Sequence, residues 1–321
     1  MNSDLHLRLM APTDLPFADG LRGLAGWNQK IRHWEELLAW EPQGCFVAEW
    51  KGTPVGTVTT TRYGAGLAWI GMLLVHPDHR GRGIGKALLQ RALDQLSDVS
   101  CVKLDATPLG QPLYEKLGFK AEWGLTRWET AGIAARDPRL ANDSGNQVPP
   151  RHSDAAQTDT SSGNSQADAS RITRHKSGTL RSLHRADLPS IAELDSPAFG
   201  SSREKMLKLW AENYRAWLVS VSESNPVNGY GLLRDGSRAC YLGPLVATAL
   251  SDGLLLIKAL LGRADARPVF WDIPDENVGA VALAQRLGFT PQRHLLRMFL
   301  GANDRPGIPS HCFAVADPSI G

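Results

Sequence analysis

The sequence predicts an α/β protein of mixed α+β type, built as two copies of one fold. Each copy should form a mixed, largely antiparallel sheet flanked by helices. Three observations carry that expectation. Residues 7–16, LRLMAPTDLP, are echoed at 180–189, LRSLHRADLP, an offset of 173, and Leu117-Gly118-Phe119 returns as Leu287-Gly288-Phe289 at an offset of 170. Two echoes in the same order and at nearly equal spacing mark an internal duplication. Within each copy a strand and a helical region precede several strands, a long helix, a further strand, a second helix and a last strand after L-G-F. Finally, residues 137–178 are dominated by Ser, Asp, Asn, Gln, Gly and Thr and nearly lack large apolar side chains. Such a stretch cannot bury enough surface to offset the entropy of ordering it, so it reads as a flexible linker. The expected organisation is 1–136, linker 137–178, and 179–321.

The elements follow in order. In the first copy, strands are expected near 5–10, 44–50, 54–62, 67–75, 100–106 and 118–128. Their counterparts are expected near 179–183, 216–222, 227–234, 238–246, 268–273 and 288–300. Helical spacing of apolar residues is plainest after residue 84, where Ala87, Leu88, Leu89, Ala92 and Leu93 share one face, and again at Leu254–Leu261.

Composition narrows the class of protein. The chain has 321 residues with 42% hydrophobic and 21% charged side chains, enough for two ordinary cores. A formal net charge of +2 gives no reason to expect nucleic-acid or anionic-membrane binding. MNSDLHLRLM lacks the apolar core of a secretory signal, and no apolar run approaches the ~20 residues of a membrane span. Cys45, Cys101, Cys240 and Cys312 are widely separated and show neither zinc-ligand spacing nor a disulfide framework. A cytoplasmic protein without metal, working as a monomer or homodimer, is the expectation.

The chemistry concentrates in residues 68–91, AWIGMLLVHPDHRGRGIGKALLQR. An apolar strand ending at Val75 runs into His76-Pro77-Asp78-His79, then Arg80-Gly81-Arg82-Gly83-Ile84-Gly85-Lys86, then the helix. Helix N-terminal N–H groups lack intrahelical acceptors and the helix dipole favours an anion there. Glycines let the backbone approach a phosphate closely, and Arg80, Arg82 and Lys86 add positive charge. A nucleotide P-loop is excluded, because Arg80 stands where its first glycine belongs and Ala87 follows Lys86 instead of Ser or Thr. The dinucleotide G-x-G-x-x-G fails too, since Gly81 and Gly83 lead to Lys86 while Gly83 and Gly85 lead to Leu88. The pattern present is R-x-x-G-x-G, Arg80, Gly83 and Gly85, following V-x-P-x-x.

That pattern, in its strand–turn–helix setting, resembles the acyl-CoA pyrophosphate loop of the GNAT N-acetyltransferase superfamily, and the order of elements resembles the GNAT fold twice over. The resemblance implies acetyl-CoA as co-substrate, held by residues 80–86 and by the backbone of Leu73, Leu74 and Val75. It also implies transfer of the acetyl group to a primary amine by direct attack on the thioester. A tyrosine four residues before the L-G-F glycine serves these enzymes as general acid, and Tyr114 holds that position. Expulsion of a thiolate needs such a proton donor. Many members place an asparagine seven residues before the tyrosine; here Thr107 stands there, which replaces one hydrogen bond but not the amide's fork.

An incoming ammonium, with pKa near 10, also calls for a base. Asp105, at the end of the neighbouring strand, is a candidate, with helix capping as its other reading; His76 and His79 lie nearer the phosphate turn. Gly23–Trp40 is expected to supply acceptor contacts, with Trp27 and Asn28 at the lip and Glu35, Glu36 and Glu41 offering negative charge. The acceptor is expected to be a small-molecule or peptide amine. The second copy has no lysine or arginine between Arg238 and Lys258, carries Asp252 at its helix start, and places Ala284 where the first has Tyr114. One catalytic copy and one degenerate copy follow. The alternative is a non-catalytic acyl-CoA sensor or scaffold.

Overall fold

Each half begins with the same local device. Arg8 reaches Asp14 with two hydrogen bonds of 2.6 and 2.8 Å, and the Ala11 N–H donates to the same carboxylate at 2.8 Å. Arg181 and Asp187 repeat this at 2.6 and 2.7 Å, with His184 N–H at 2.7 Å. Both carboxyls are held below the usual range by their arginines. The repeated sequence is therefore a repeated turn that aims a strand into a helix.

The computed structural model describes residues 4–133, 179–214, 217–221 and 226–321. The first half contains β1 (Leu5–Leu9), α1 (Leu15–Leu24), α2 (Ile31–Trp40), β2 (Cys45–Trp50), β3 (Thr53–Tyr63), β4 (Leu67–Val75), α3 (Ile84–Gln95), β5 (Cys101–Ala106), α4 (Gln111–Lys116) and β6 (Lys120–Thr130). The second contains β7 (Thr179–Ser182), α5 (Leu188–Phe199), α6 (Glu204–Asn213), β8 (Trp217–Val221), β9 (Val227–Arg234), β10 (Cys240–Ala247), α7 (Leu250–Leu261), β11 (Val269–Pro274), α8 (Val278–Arg286), β12 (Thr290–Gly301) and β13 (Cys312–Ala314). The mixed α/β class stands, and the strands fall where their apolar runs place them. Among the described residues, only the short β13 is additional. The linker expected at 137–178, with both domain boundaries, lies outside the described residues.

What the repeat does not disclose is how the halves join. The strands of the described residues form one sheet, in the order β1-β2-β3-β4-β5-β12-β6-β11-β10-β9-β8-β7, with β13 on β10. Each half's last long strand has crossed to the other: β12 pairs antiparallel with β5, β6 pairs antiparallel with β11, and the two pair with each other. The exchange is locked by two buried ion pairs related by the repeat. Arg297 on β12 faces Asp105 on β5, and Arg127 on β6 faces Asp272 on β11.

One face of the sheet is shared. Trp34, Trp69, Trp210, Trp217 and Tyr230 from both halves form a single apolar core beneath α1, α2, α5 and α6. On the other face each half keeps its own core. Ile84, Leu88, Leu89 and Ala92 of α3 pack on Phe46, Val58 and Ile70, which accounts for the helical spacing after residue 84. Leu256, Ile257, Leu260 and Leu261 of α7 do the same for the second half.

Candidate active site

The site begins where two parallel strands part. β4 and β5 pair only over Leu67–Trp69 and residues 101–103. Beyond that point β4 carries a bulge: its register with β3 shifts between Thr57 and Thr59, Met72 takes φ +50°, and the Thr57 hydroxyl donates to the Met72 carbonyl at 2.8 Å. A bulge bends its strand and withdraws it from its neighbour. Beyond Trp69 the backbone groups on the β5 side of β4 therefore have no partner in β5.

The gap opens into a cavity of about 630 Å³. One end is the glycine turn. Gly81 and Gly83 hold φ +76° and +79°, and Gly83 caps α3 without a side chain. The first hydrogen bond of α3 runs from Ala87 N–H to Gly83 C=O, so the amides of Ile84, Gly85 and Lys86 have no helical acceptor. A Cβ on Gly85 would meet nothing nearer than Val75 Cγ2 at 3.7 Å, so the protein's own packing does not demand glycine there. Open amides with spare room fit an anionic group lying against the helix end. His79, Arg80 and Lys86 line this end, while Arg82 turns away, its guanidinium 5.2 Å from the Trp50 ring. Arg82 is not among the lining residues, and its charge reaches the cavity only from a distance.

Leu73, Leu74, Val75, Thr107 and Tyr114 all line the cavity. Tyr114 packs edge-on to Phe119 and against Gly110, where a Cβ would come within 2.9 Å of its ring. Burial pushes its hydroxyl up to about 12, so it keeps its proton at neutral pH. Thr107 uses its hydroxyl to accept the Gly110 N–H at 3.2 Å, at the start of α4. Asn277, its counterpart, makes the same bond to Ala280 N–H at 3.0 Å and spends its amide N–H groups on the carbonyls of Ser310 and Cys312. Threonine keeps the cap and gives up the second function.

Two expected site residues are corrected. Asn28 does not reach the cavity: it is fully buried, accepts the N–H groups of Arg238 and Ala239 at 2.8 and 3.0 Å, and donates to the Ala239 carbonyl at 3.0 Å. An amide with its polar atoms so occupied clamps the halves together and has little left for substrate. Asp105 lies in the cavity wall, but Arg297 takes both its oxygens at 2.8 and 2.9 Å. Burial raises this carboxyl and the guanidinium opposes the rise. Since the second half carries the same lock at Arg127–Asp272, Asp105 acts in strand exchange, and the geometry gives its general-base role no support. Among the cavity's lining residues no other carboxylate appears. Glu36 is engaged by the Tyr214 hydroxyl at 3.2 Å.

Trp27 does line the far end, with Gln29 beside it. The rest of that end was invisible in the linear sequence: Arg293 and Leu295 arrive on the exchanged strand, and Pro318 and Ser319 on the segment after β13. This segment passes so close to β4 that a Cβ on Gly71 would sit 2.1 Å from the Ser319 carbonyl oxygen. Gly71 is the one signal that could have hinted at it.

The matching cleft in the second half is filled. β10 and β11 also pair briefly, over Cys240–Leu242, before parting at a register shift. Into that gap comes β13, pairing with β10 and placing Phe313 on Gly253 of α7, where a Cβ would be 2.4 Å from the ring. Trp271 Nε1–H donates to the Phe313 carbonyl at 2.8 Å. Asp252, at the start of α7, accepts from the buried Ser220 hydroxyl, and Ala249 is the N-cap.

Comparison with known proteins agrees with this architecture. Residues 17–119 match the model of the acetyltransferase (GNAT) family, and residues 191–314 match an acetyltransferase (GNAT) domain. An acetyltransferase of Yersinia pestis is 36% identical over 107 residues, covering 31% of this chain and 73% of that one. The N-acetyltransferase YitH of Bacillus subtilis, itself uncharacterised, is 22% identical over 269 residues, 84% of this chain and 82% of its own. A Pyrococcus horikoshii structure solved as a candidate acetyltransferase superposes with a TM-score of 0.75 at 21% identity, over 100% of this chain and 97% of that one. Among the described residues, no helix is long and apolar enough to cross a membrane. With one GNAT match in each half, the chain belongs to the GNAT acetyltransferase family as a tandem member, an acyltransferase whose co-substrate is acyl-CoA.

Proposed function

We propose that the first half alone is catalytic and transfers an acetyl group from acetyl-CoA to a primary amine. The observation that carries this reading is the continuity of one cavity from the open α3 N-terminus, along the bulged β4, past Tyr114, to the Trp27 end. Amides of residues 84–86 with Gly81 and Gly83 hold the pyrophosphate, and Arg80 and Lys86 supply charge around it. Leu73–Val75 align the pantetheine arm, with Thr107 opposite.

When bound, acetyl-CoA supplies an acyl carbon joined to a good leaving group, the thiolate. The Trp27 end directs an uncharged amine nitrogen to that carbon; the N–C bond forms, and the C–S bond breaks with its electron pair going to sulfur. Backbone N–H groups of the bulged β4 are placed to steady the developing oxyanion. Tyr114 protonates the departing sulfur and recovers a proton from water, while the second nitrogen proton leaves to solvent. The net products are an amide, a free thiol and one proton from the original ammonium. With Asp105 committed to Arg297, deprotonation of the amine falls to solvent, so the rate should climb with pH toward the amine's own pKa.

The test is thiol release from acetyl-CoA against a panel of amines. Tyr114→Phe should lower kcat by about 10²–10³-fold with a far smaller change in CoA affinity. Tight CoA binding without acetylation of any amine would defeat the reading.

A further inference from the structure

We propose that the acceptor carries a small oxyanion, a carboxylate above all, beside its amine, and that Arg293 receives it. This rests on the catalytic reading above and names the substrate class of the same site. Arg293 lines the acceptor end of the cavity with Trp27, Gln29 and Ser319. Its Nε is buried without a hydrogen-bond partner, and among the described residues no carboxylate lies within ion-pair distance of its guanidinium. Every neighbouring arginine is spoken for. Arg127 is held by Asp272 at 2.6 and 2.7 Å, Arg297 by Asp105, and Arg234 by the carbonyls of Gly243 and Ala316.

The charge count around this end is uneven. Arg127, Arg234, Arg293 and Arg297 face Asp105, Asp272 and Asp317, four cations against three anions. Asp317 is itself occupied by Gln29 Nε2 at 2.9 and 3.0 Å and by the Ser319 hydroxyl at 2.6 Å. Moreover, Arg293 sits opposite Arg127 in the β12–β6 register, a like-charge pairing that sheets disfavour. Burial first, and Arg127 second, pull its pKa below the ordinary arginine value, although an arginine remains charged. The fold does not require a cation here. One repeat offset of 170 earlier, on β6, the residue is Trp123. A half-buried cation, which Asp272 and Asp317 offset only from beyond ion-pair distance, faces the cavity and is matched by an anion that arrives with the substrate; a planar guanidinium meets a carboxylate in two parallel bonds. The same charge disfavours polycationic acceptors such as polyamines.

The experiment compares α-amino acids with their amides and with the matching decarboxylated amines, using acetyl-CoA. Wild type should favour the carboxylate-bearing amine by about 10- to 100-fold in kcat/KM over its amide, each tenfold being 1.4 kcal/mol. Arg293→Gln should collapse that ratio to within threefold, and Arg293→Lys should leave part of it. Because the ratio is taken within each protein, a change in stability cancels. Melting-temperature shifts with the same amines, in the presence of CoA, read binding separately from transfer. Equal use of acids and amides, or a ratio indifferent to Arg293→Gln, would overturn the proposal while leaving acetyl transfer intact. Should no amine be acetylated, the catalytic reading fails. An acid-selective melting shift lost in Arg293→Gln would then still uphold the anion site, and its absence would refute it.

Discussion

The two halves present the same helix end to the same kind of cleft, and only one leaves it open. In the first, β4 bulges away from β5, Gly83 caps α3 without a side chain, and three amides look into a cavity. In the second, the strands part in the same way, but β13 enters the gap and Phe313 covers Gly253 of α7. A parting of parallel strands therefore makes a slot that has to be filled by something. The chain fills one slot with its own backbone and leaves the other as an open cavity. The comparison also reassigns Asp105: a carboxylate that looks catalytic in one half is matched in the other by Asp272, and the two do the same mechanical work on exchanged strands.

The sharpest way to break this comparison is to load both helix ends with charge. Gly83→Glu should reduce CoA binding at least 100-fold by calorimetry, because it adds an anion and a side chain at a left-handed residue facing the turn. Ser251→Glu, at the start of α7, should leave CoA affinity unaltered; a comparable loss there would show that the second half also takes part in binding. The equivalence of the strand locks can be tested by Asp105→Asn and Asp272→Asn. Each should cost about 3–5 kcal/mol in denaturant unfolding, as removing one partner of a buried ion pair does. If Asp105→Asn cut kcat far beyond Asp272→Asn at equal loss of stability, Asp105 would regain its place as a base.

A smaller contrast concerns pH. Buried His33 on α2 corresponds to buried Met206 on α6 at the offset of 173. Burial is the main cause that lowers His33 from 6.5 to about 3, and its Nδ1 accepts the Lys30 N–H at 2.7 Å. A base whose folded pKa is depressed contributes its full stability above the unfolded value and loses it as pH falls toward the folded one. Stability should therefore decline by a few kcal/mol, on the order of 1.4 per pH unit at most, as pH drops from 6.5 toward 3. His33→Met should flatten that part of the curve in a melting-temperature series; an unchanged slope would place the acid sensitivity elsewhere.

Much of the glycine-turn end of the cavity was legible in the linear sequence because it is local. Strand, glycine turn and helix are contiguous from Leu67 to Gln95, and Tyr114 stands at a set distance from L-G-F on a single helix. The acceptor end was not legible, and Asn28 shows why. Gly26-Trp27-Asn28-Gln29 reads as an exposed loop, yet Asn28 is wholly buried because its partners, Arg238 and Ala239, lie about 210 residues away. Asp105 was misjudged for the same reason, its partner Arg297 being 192 residues distant.

By itself, then, the sequence determined the duplicated α/β plan, the glycine turn at the start of α3 and its presence in one copy, since backbone propensity, glycine placement and short-range spacing suffice for these. The exchange of β6 and β12, the plug at β13 and the lone cation Arg293 were decided by tertiary structure. Pairing between strands nearly two hundred residues apart depends on which edges and buried charges meet in space, and no local pattern encodes that meeting.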